Sequence, residues 1–220
     1  MNNMKVIIFD LDGTLIDTIY DIKDAMNNAL NLCGYSITYS KEQMETFIGS
    51  GEYLLVKRAL EFINVFDEEK IVELRKTYKQ IYTNNCKNNS IVFDGMIEGL
   101  NKLKSKGYIL CIFSNKPHSE VCKIASHYFE YGLFDIVRGS FDHIPVKPNR
   151  AGLDKIFEEL ELTHTSNVYY VGDSKVDMQT GLNAGLYTIG VSYGYEKKDV
   201  LCSYNPQKVV DSVDELINLF

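Results

Sequence analysis

A doubly wound parallel α/β sheet, with a small all-helical unit inserted after its first strand, is the architecture this 220-residue sequence predicts. Three observations predict it. Short continuous apolar runs recur along the chain, as strands buried on both faces of a parallel sheet require. Each run stops abruptly at polar residues, and a helical pattern follows it. Between the first run and the second, that alternation is suspended, and residues 17–89 read as helix after helix.

The elements follow in order. Val6-Ile7-Ile8-Phe9 is too short for a helix and ends at Asp10. In the inserted unit, Ile19, Ile22, Met26, Ala29 and Leu30 form one apolar stripe at helical spacing before Gly34. Leu54, Leu55, Ala59, Phe62 and Ile63 form a second, and Ile71, Leu74, Tyr78, Ile81 and Tyr82 a third. Linkers are expected near Leu15–Thr18 and Lys87–Ile91, which divides the chain into a core of residues 1–16 plus 90–220 and a helical cap of residues 17–89. Beyond the insertion, a helix from Gly95 to Lys106 closes at Gly107, and one from about Pro117 to Tyr131 closes at Gly132. Tyr108–Phe113 and Val168–Val171 are further strands, ending at Ser114-Asn115 and Gly172-Asp173. Shorter runs at Phe134–Val137 and Thr188–Val191 supply others.

Composition narrows the function. A net charge of -7 disfavours nucleic acid and anionic membrane as partners. No apolar run approaches a membrane span, and five dispersed cysteines without a CxxC pair read as reduced thiols, so a cytoplasmic protein is expected.

The chemistry gathers at the strand ends. Asp10-Leu11-Asp12-Gly13-Thr14 puts two carboxylates, a glycine and a hydroxyl directly after a buried strand. A carboxylate can attack phosphorus and split one displacement into two easier ones, a task that suits Asp10. Asp12 can protonate the leaving oxygen and then take a proton from water. Thr14 can donate a hydrogen bond to phosphate. An Asx-turn would account for Asp12-Gly13 but leaves Asp10 unexplained.

Asp173 and Asp177, in Gly172-Asp173-Ser174-Lys175-Val176-Asp177, stand at a strand end and in the next helix's first turn. Hard oxygen ligands there suit Mg2+, and a capped helix with an acidic first turn is the alternative. Ser114 and Asn115 meet a helix N-terminus, which favours either phosphate or an ordinary cap before Pro117. Lys147, between Pro145 and Pro148 in its segment, offers a cation; a solvated lysine is the other reading. Ligands bind outside the carboxyl ends of the strands in open α/β sheets, so Asp10, Ser114 and Asp173 should converge.

The order Asp-x-Asp-Gly-Thr, Ser-Asn, Lys-Pro, Gly-Asp-x-x-x-Asp resembles the haloacid-dehalogenase-like superfamily of phosphohydrolases, over the whole chain. Asp10 to Asp17 and Ser114 to Pro117 are most similar to phosphoglycolate phosphatases. The resemblance implies Asp10 as nucleophile and Mg2+ ligand, and Asp12 as acid/base with its main-chain carbonyl on the metal. It implies Asp173 as a further ligand, Asp177 in the same shell, and Ser114 and Lys147 on the phosphoryl group with Thr14 and Asn115 assisting. The expected substrate is a small phosphorylated metabolite. True dehalogenases of the superfamily lack the second aspartate, so Asp12 argues against dehalogenation. β-Phosphoglucomutases place a hinge histidine where counting from Asp10 gives Ile22. A receiver module would need a phospho-accepting aspartate where this chain has Ser114-Asn115.

Phe47-Ile48-Gly49-Ser50-Gly51-Glu52 joins two cap helices and resembles the loop that faces substrate in this cap class, which makes Gly49, Ser50 and Gly51 candidate specificity residues; a helix C-cap followed by an N-cap is the alternative. Lys57 and Arg58 are expected on a solvated helix face without a role. His118, His127, His143 and His164 show no metal-ligand spacing.

Overall fold

The computed structural model describes residues 4–162 and 165–220; His164 therefore lies outside the described residues. The chain divides into two compact units, Met1–Asp17 with Val92–Phe220, and Thr18–Ile91. Two-residue strands β2 (Ile16–Asp17) and β3 (Ile91–Val92) stand at the crossings between them.

The larger unit is built on a six-stranded sheet of order β5-β4-β1-β6-β7-β8. Its strands are β1 (Val6–Phe9), β4 (Ile109–Pro117), β5 (Ile136–Ser140), β6 (Val168–Gly172), β7 (Tyr187–Val191) and β8 (Lys208–Val210). Every pairing is parallel, with Val6 opposite Ile109 on one side and Val168 on the other. Parallel neighbours require crossovers, which contain α5 (Met96–Ser105), α6 (His118–Tyr128), α7 (Ala151–Glu159), α8 (Lys175–Asn183) and α9 (Lys198–Ser203), and α10 (Val213–Ile217) follows the last strand. All four residues of β1 are fully buried, which is why the run carries no polar alternation. Roughly 1.5–3 kcal/mol of transfer free energy per large aliphatic side chain buried favours this centre. Gly152 lets α7 press onto the sheet, since a Cβ there would lie 2.4 Å from the Phe113 ring.

Three details differ from expectation. Helix α6 ends at Tyr128, because Phe129 is extended (φ -122, ψ 147), and Gly132 (φ 86) serves the following turn instead of capping the helix. Strand β5 starts at Ile136, two residues after Phe134, and continues through Arg138-Gly139-Ser140. Strand β4 continues past Phe113 to Pro117, so Ser114-Asn115-Lys116 lie within it.

The smaller unit contains α1 (Ile19–Leu32), α2 (Lys41–Glu45), α3 (Glu52–Glu61) and α4 (Glu68–Asn85). The expected stripe on α1 is buried. On α3 the buried side is Leu55, Val56, Ala59 and Leu60, and Phe62 beyond the helix is 52% exposed; the stripe is rotated from the expected one because Val56 and Leu60 turn inward. Tyr39 ties the segment between α1 and α2 to α3, its hydroxyl donating to Ala59 O and its ring meeting Phe47 and Phe62 edge-on. Asp21, in the first turn of α1, joins the unit's first and last segments, accepting from Asn89 N (2.8 Å) and Ser90 Oγ (2.5 Å).

Candidate active site

Strand β1 ends where its neighbours stop holding it. Asp10 N donates to Val171 O (2.9 Å), after which the chain leaves the sheet. Leu11 O then collects the N–H groups of Thr14, Leu15 and Ile16, winding the segment into a tight turn, and Gly13 N donates to Ile16 O (2.8 Å). Gly13 sits at φ 82, where a Cβ would also strike Asp173 Oδ2 at 2.3 Å, so only glycine fits.

Asp10, Asp173 and Asp177 come together from β1, the end of β6 and the first turn of α8, with one ligand oxygen from each within 4.8 Å of the others. All three are buried. Lys147 joins them: its side chain is 2% exposed, and Nζ lies 2.8 Å from Asp10 Oδ1, 2.7 Å from Asp177 Oδ1 and 3.3 Å from Phe113 O. Burial, and after it the negative charge of Asp177, pushes Asp10 up to about 7, with Lys147 opposing. Asp173 is raised well above the carboxylate range by burial and by the charges of Asp177 and Asp10. Burial alone would lower Lys147, but Asp10 and Asp177 outweigh it and hold the ammonium charged.

The donor set fits a hard divalent cation. Three clustered carboxylates face one ammonium, and Asp10 Oδ1, although near Lys147, accepts no hydrogen bond of good geometry. A buried oxygen of that kind and the surplus negative charge are both relieved by an ion such as Mg2+.

The remaining candidates separate by partner. Asp177 is both a cap and a member of the cluster. Its Oδ2 accepts from Ser174 N (3.1 Å) and Ser174 Oγ, closing a capping box on α8, while Oδ1 takes Lys147 and Tyr170 OH (3.1 Å). Thr14, expected to donate to phosphate, gives its hydroxyl proton to Asp173 Oδ1 (3.0 Å) and so orients that carboxylate. Asn115, expected to assist at phosphate, is turned to Lys147, accepting from its N at 2.7 Å and donating to its O at 3.2 Å. It fixes the backbone that carries the cation. Ser114 is buried with its Oγ accepting from Lys116 N (3.2 Å). Asp12 stays out of the acidic cluster: its side chain is 19% exposed and pairs with Lys116 Nζ at 2.9 Å.

Two groups of residues were not singled out from sequence. Lys116 is one, with a side chain only 6% exposed. The other is Tyr193-Gly194-Tyr195, beyond the end of β7. Tyr195 N donates to Asp173 Oδ2 (2.9 Å), Tyr195 OH to Asp17 Oδ1 (2.9 Å) and Tyr193 OH to Thr14 O (3.1 Å). Their signal was the same one that marked the other motifs, a polar break directly after a buried strand.

In the helical unit, Gly49 (φ 95) and Gly51 (φ 87) adopt backbone conformations that favour glycine. Arg58, expected to be solvated, is instead tied to this loop, with Nη1 donating to Phe47 O (2.8 Å) and Ile48 O (3.2 Å) and Nη2 to Ser50 Oγ (3.0 Å). Its place about two helical turns beyond Gly51 lets the long side chain fold back, a reach that helical periodicity does not display. Among the described residues, no helix is long and apolar enough to cross a membrane.

The family model of haloacid dehalogenase-like hydrolases matches residues 7–191. A phosphoglycolate phosphatase of Psychrobacter arcticus is 32% identical over 220 residues, covering 97% of this chain and 94% of its own. One of Vibrio parahaemolyticus is 30% identical over 221 residues, covering 99% and 96%. The crystal structure of a predicted phosphoglycolate phosphatase from Haemophilus somnus superposes with a TM-score of 0.90 at 27% identity, covering 100% of this chain and 99% of that one.

Proposed function

Because the chain belongs to the haloacid dehalogenase-like hydrolases, we propose that it hydrolyses a small phosphomonoester, phosphoglycolate foremost, through an aspartyl phosphate on Asp10. The observation that carries this reading is the unlike treatment of two aspartates one residue apart. Asp10 is sunk in the acidic cluster against Lys147, whereas Asp12 sits outside it on Lys116. One environment suits a nucleophile held beside a cation, and the other suits a carboxyl that meets the leaving group.

In the first step, an Asp10 oxygen forms a bond to phosphorus as the bond to the ester oxygen breaks, and Asp12 delivers a proton to the departing alkoxide. In the second, a water oxygen attacks phosphorus, Asp12 takes its proton, and the bond to Asp10 breaks to release inorganic phosphate. Lys147 offsets the charge of Asp10 and of the transferring group, and the Ser114 hydroxyl donates to a non-bridging oxygen. Thr14 and Tyr195 hold Asp173, and Asn115 holds Lys147, so the polar groups are oriented before substrate arrives. Mg2+, held by Asp10, Asp173 and the Asp12 carbonyl with Asp177 beside them, would supply positive charge to the phosphoryl oxygens when bound. Gly49, Ser50 and Gly51 would select the alcohol, and closure of the helical cap would exclude bulk water. The relatives named phosphoglycolate phosphatase support the substrate. Five cysteines outside any disulfide support a reducing compartment such as the cytoplasm.

The test is phosphate release from phosphoglycolate, pyrophosphate, hexose phosphates and nucleoside monophosphates, with Mg2+ and with chelator. Magnesium-dependent release led by phosphoglycolate, abolished in Asp10→Asn, is expected. Release led by another ester would replace the substrate, and wild-type turnover in Asp10→Asn would remove the nucleophile.

A further inference from the structure

We propose that Lys116 is a substrate-binding residue, whose ammonium recognises a carboxylate on the leaving group, two bonds from the ester oxygen. The inference rests on the phosphatase reading and deepens it. The two lysines of the site are differently engaged. Lys147 donates to Asp177 Oδ1 and Phe113 O and lies 2.8 Å from Asp10 Oδ1 as an ion pair, which commits it to the nucleophile's side. Lys116 is paired with Asp12, on the side from which the alcohol departs.

Geometry gives the reach. To protonate the ester oxygen, the Asp12 carboxyl must come within about 2.6–3.2 Å of it. Lys116 Nζ lies 2.9 Å from Asp12 Oδ1, so it stands within roughly two hydrogen-bond lengths, about 6 Å, of the ester oxygen. A carboxylate joined to the ester carbon spans that interval and can meet Nζ at an ordinary charge-assisted distance, about 2.7–2.9 Å. Ser114 and Lys116 lie two residues apart in β4, in the stretch where its register with β5 shifts, and Lys116 N donates to Ser114 Oγ at 3.2 Å, which keeps the phosphoryl-side hydroxyl close to the segment that carries the cation.

Charge gives the reason. Burying a lysine is costly, and an amide or hydroxyl would orient Asp12 as well as an ammonium does. A phosphomonoester that also carries a carboxylate brings additional negative charge into a centre that already contains Asp10, Asp12, Asp173 and Asp177. A second cation on the leaving-group side compensates for that charge and is of no use to a neutral alcohol.

The experiment compares phosphoglycolate with 2-hydroxyethyl phosphate, in which a hydroxymethyl group replaces the carboxylate, in wild type, Lys116→Met and Lys116→Arg. The readout is the ratio of kcat/KM for the two esters, since a residue that only holds Asp12 lowers both in parallel. Lys116→Met is expected to lower that ratio at least 10-fold, chiefly through KM for phosphoglycolate, and Lys116→Arg to retain a third or more of it. Calorimetric binding of phosphoglycolate to Asp10→Asn protein, with and without Lys116→Met, gives a readout without turnover, and a weakening of 10-fold or more is expected. Should Lys116→Met fail to fold, Lys116→Gln takes its place in both measurements. A parallel loss for both esters, or unchanged binding, overturns the proposal. A wild-type ratio at or below one also overturns it and leaves the phosphatase reading standing. That reading fails by itself if no ester is hydrolysed, in which case the binding measurement still decides the role of Lys116.

Discussion

Replacing Gly194 by alanine perturbs the site without removing any ionisable group. A Cβ at this position would lie 2.3 Å from Asp173 Cβ, 2.4 Å from Gly13 O and 2.6 Å from Asp173 Oδ2. The two nearest atoms are a side-chain root and a backbone oxygen, so no flexible end can swing away, and something must move by about 1 Å to restore van der Waals contact. Overpacking of this kind costs roughly 1–3 kcal/mol. At about 2–4 °C per kcal/mol for a protein of this size, melting should fall by about 2–12 °C. The displaced group is a proposed metal ligand, and a shift of about 1 Å at a reacting centre costs on the order of 100-fold in turnover. The control is Gly185→Ala, where φ is 67 but nothing lies within 4 Å of the new Cβ; only the backbone penalty of about 1–2 kcal/mol applies and turnover should hold. Scanning fluorimetry, Mg2+ titration calorimetry and phosphate release follow the three effects. If Gly194→Ala keeps both turnover and Mg2+ affinity within twofold of wild type, Asp173 is not held against Gly13 and Gly194, and the reasoning fails.

Three further outcomes are expected. Lys147→Met leaves Asp10 and Asp177 buried without their cation, which should cost about 3–5 kcal/mol of stability at neutral pH and remove turnover, read by thermal melts and phosphate release. In chelated protein, Asp10 ionises near 7 when folded and near 4 when unfolded, so the folded state binds the extra proton between those values. Stability should therefore fall as pH rises from about 4 through about 7, with Asp173 acting in the same direction, and added Mg2+ should restore it at pH 7.5; a chelated protein that melts higher at pH 7.5 than at pH 5 would contradict this. Thiol titration of native protein should modify exposed Cys202 first and spare buried Cys86 and Cys111, whose thiol burial pushes up to about 12. Early modification of Cys111 would place it elsewhere than in the sheet.

The elements legible in the sequence were those whose environment is uniform. Strands β1, β4 and β6 have neighbours on both edges and helices over both faces, so their apolar runs are unbroken and their ends conspicuous. Strand β8, three residues at the sheet edge with only Val210 buried, has no such signature. Strand β5, at the opposite edge, was placed too early because Phe134 is more apolar than Arg138-Gly139-Ser140, which pair with β4 through their backbones. In the site, residue types and strand ends gave the acidic cluster, because a carboxylate after a buried strand has few other uses. The allocation of hydrogen bonds was not legible. Thr14 and Asn115 carry donors that suit phosphate, yet they serve Asp173 and the Lys147 backbone, and these partners are fixed only when distant strands are laid side by side. The pairing of Lys116 with Asp12 has the same origin: the two leave adjacent strands, and neither sequence neighbourhood names the other.

The central place of β1 also sets when the chain can begin to work. Val6–Phe9 leaves the ribosome well before the strands that pair with it, which begin at residues 109 and 168. Until β4 emerges, that segment has neither edge satisfied, and its four apolar side chains await a sheet, which makes it a natural target for chaperones during synthesis. Pairings so distant in sequence also form slowly. Asp173 and Asp177 arrive after β6, so a nascent or truncated chain that stops before them holds Asp10 without the cluster that surrounds it in the finished protein. Biosynthesis thus delivers Asp10 early and completes its setting late, and a chain released before β6 lacks the two carboxylates that surround Asp10 in the finished fold.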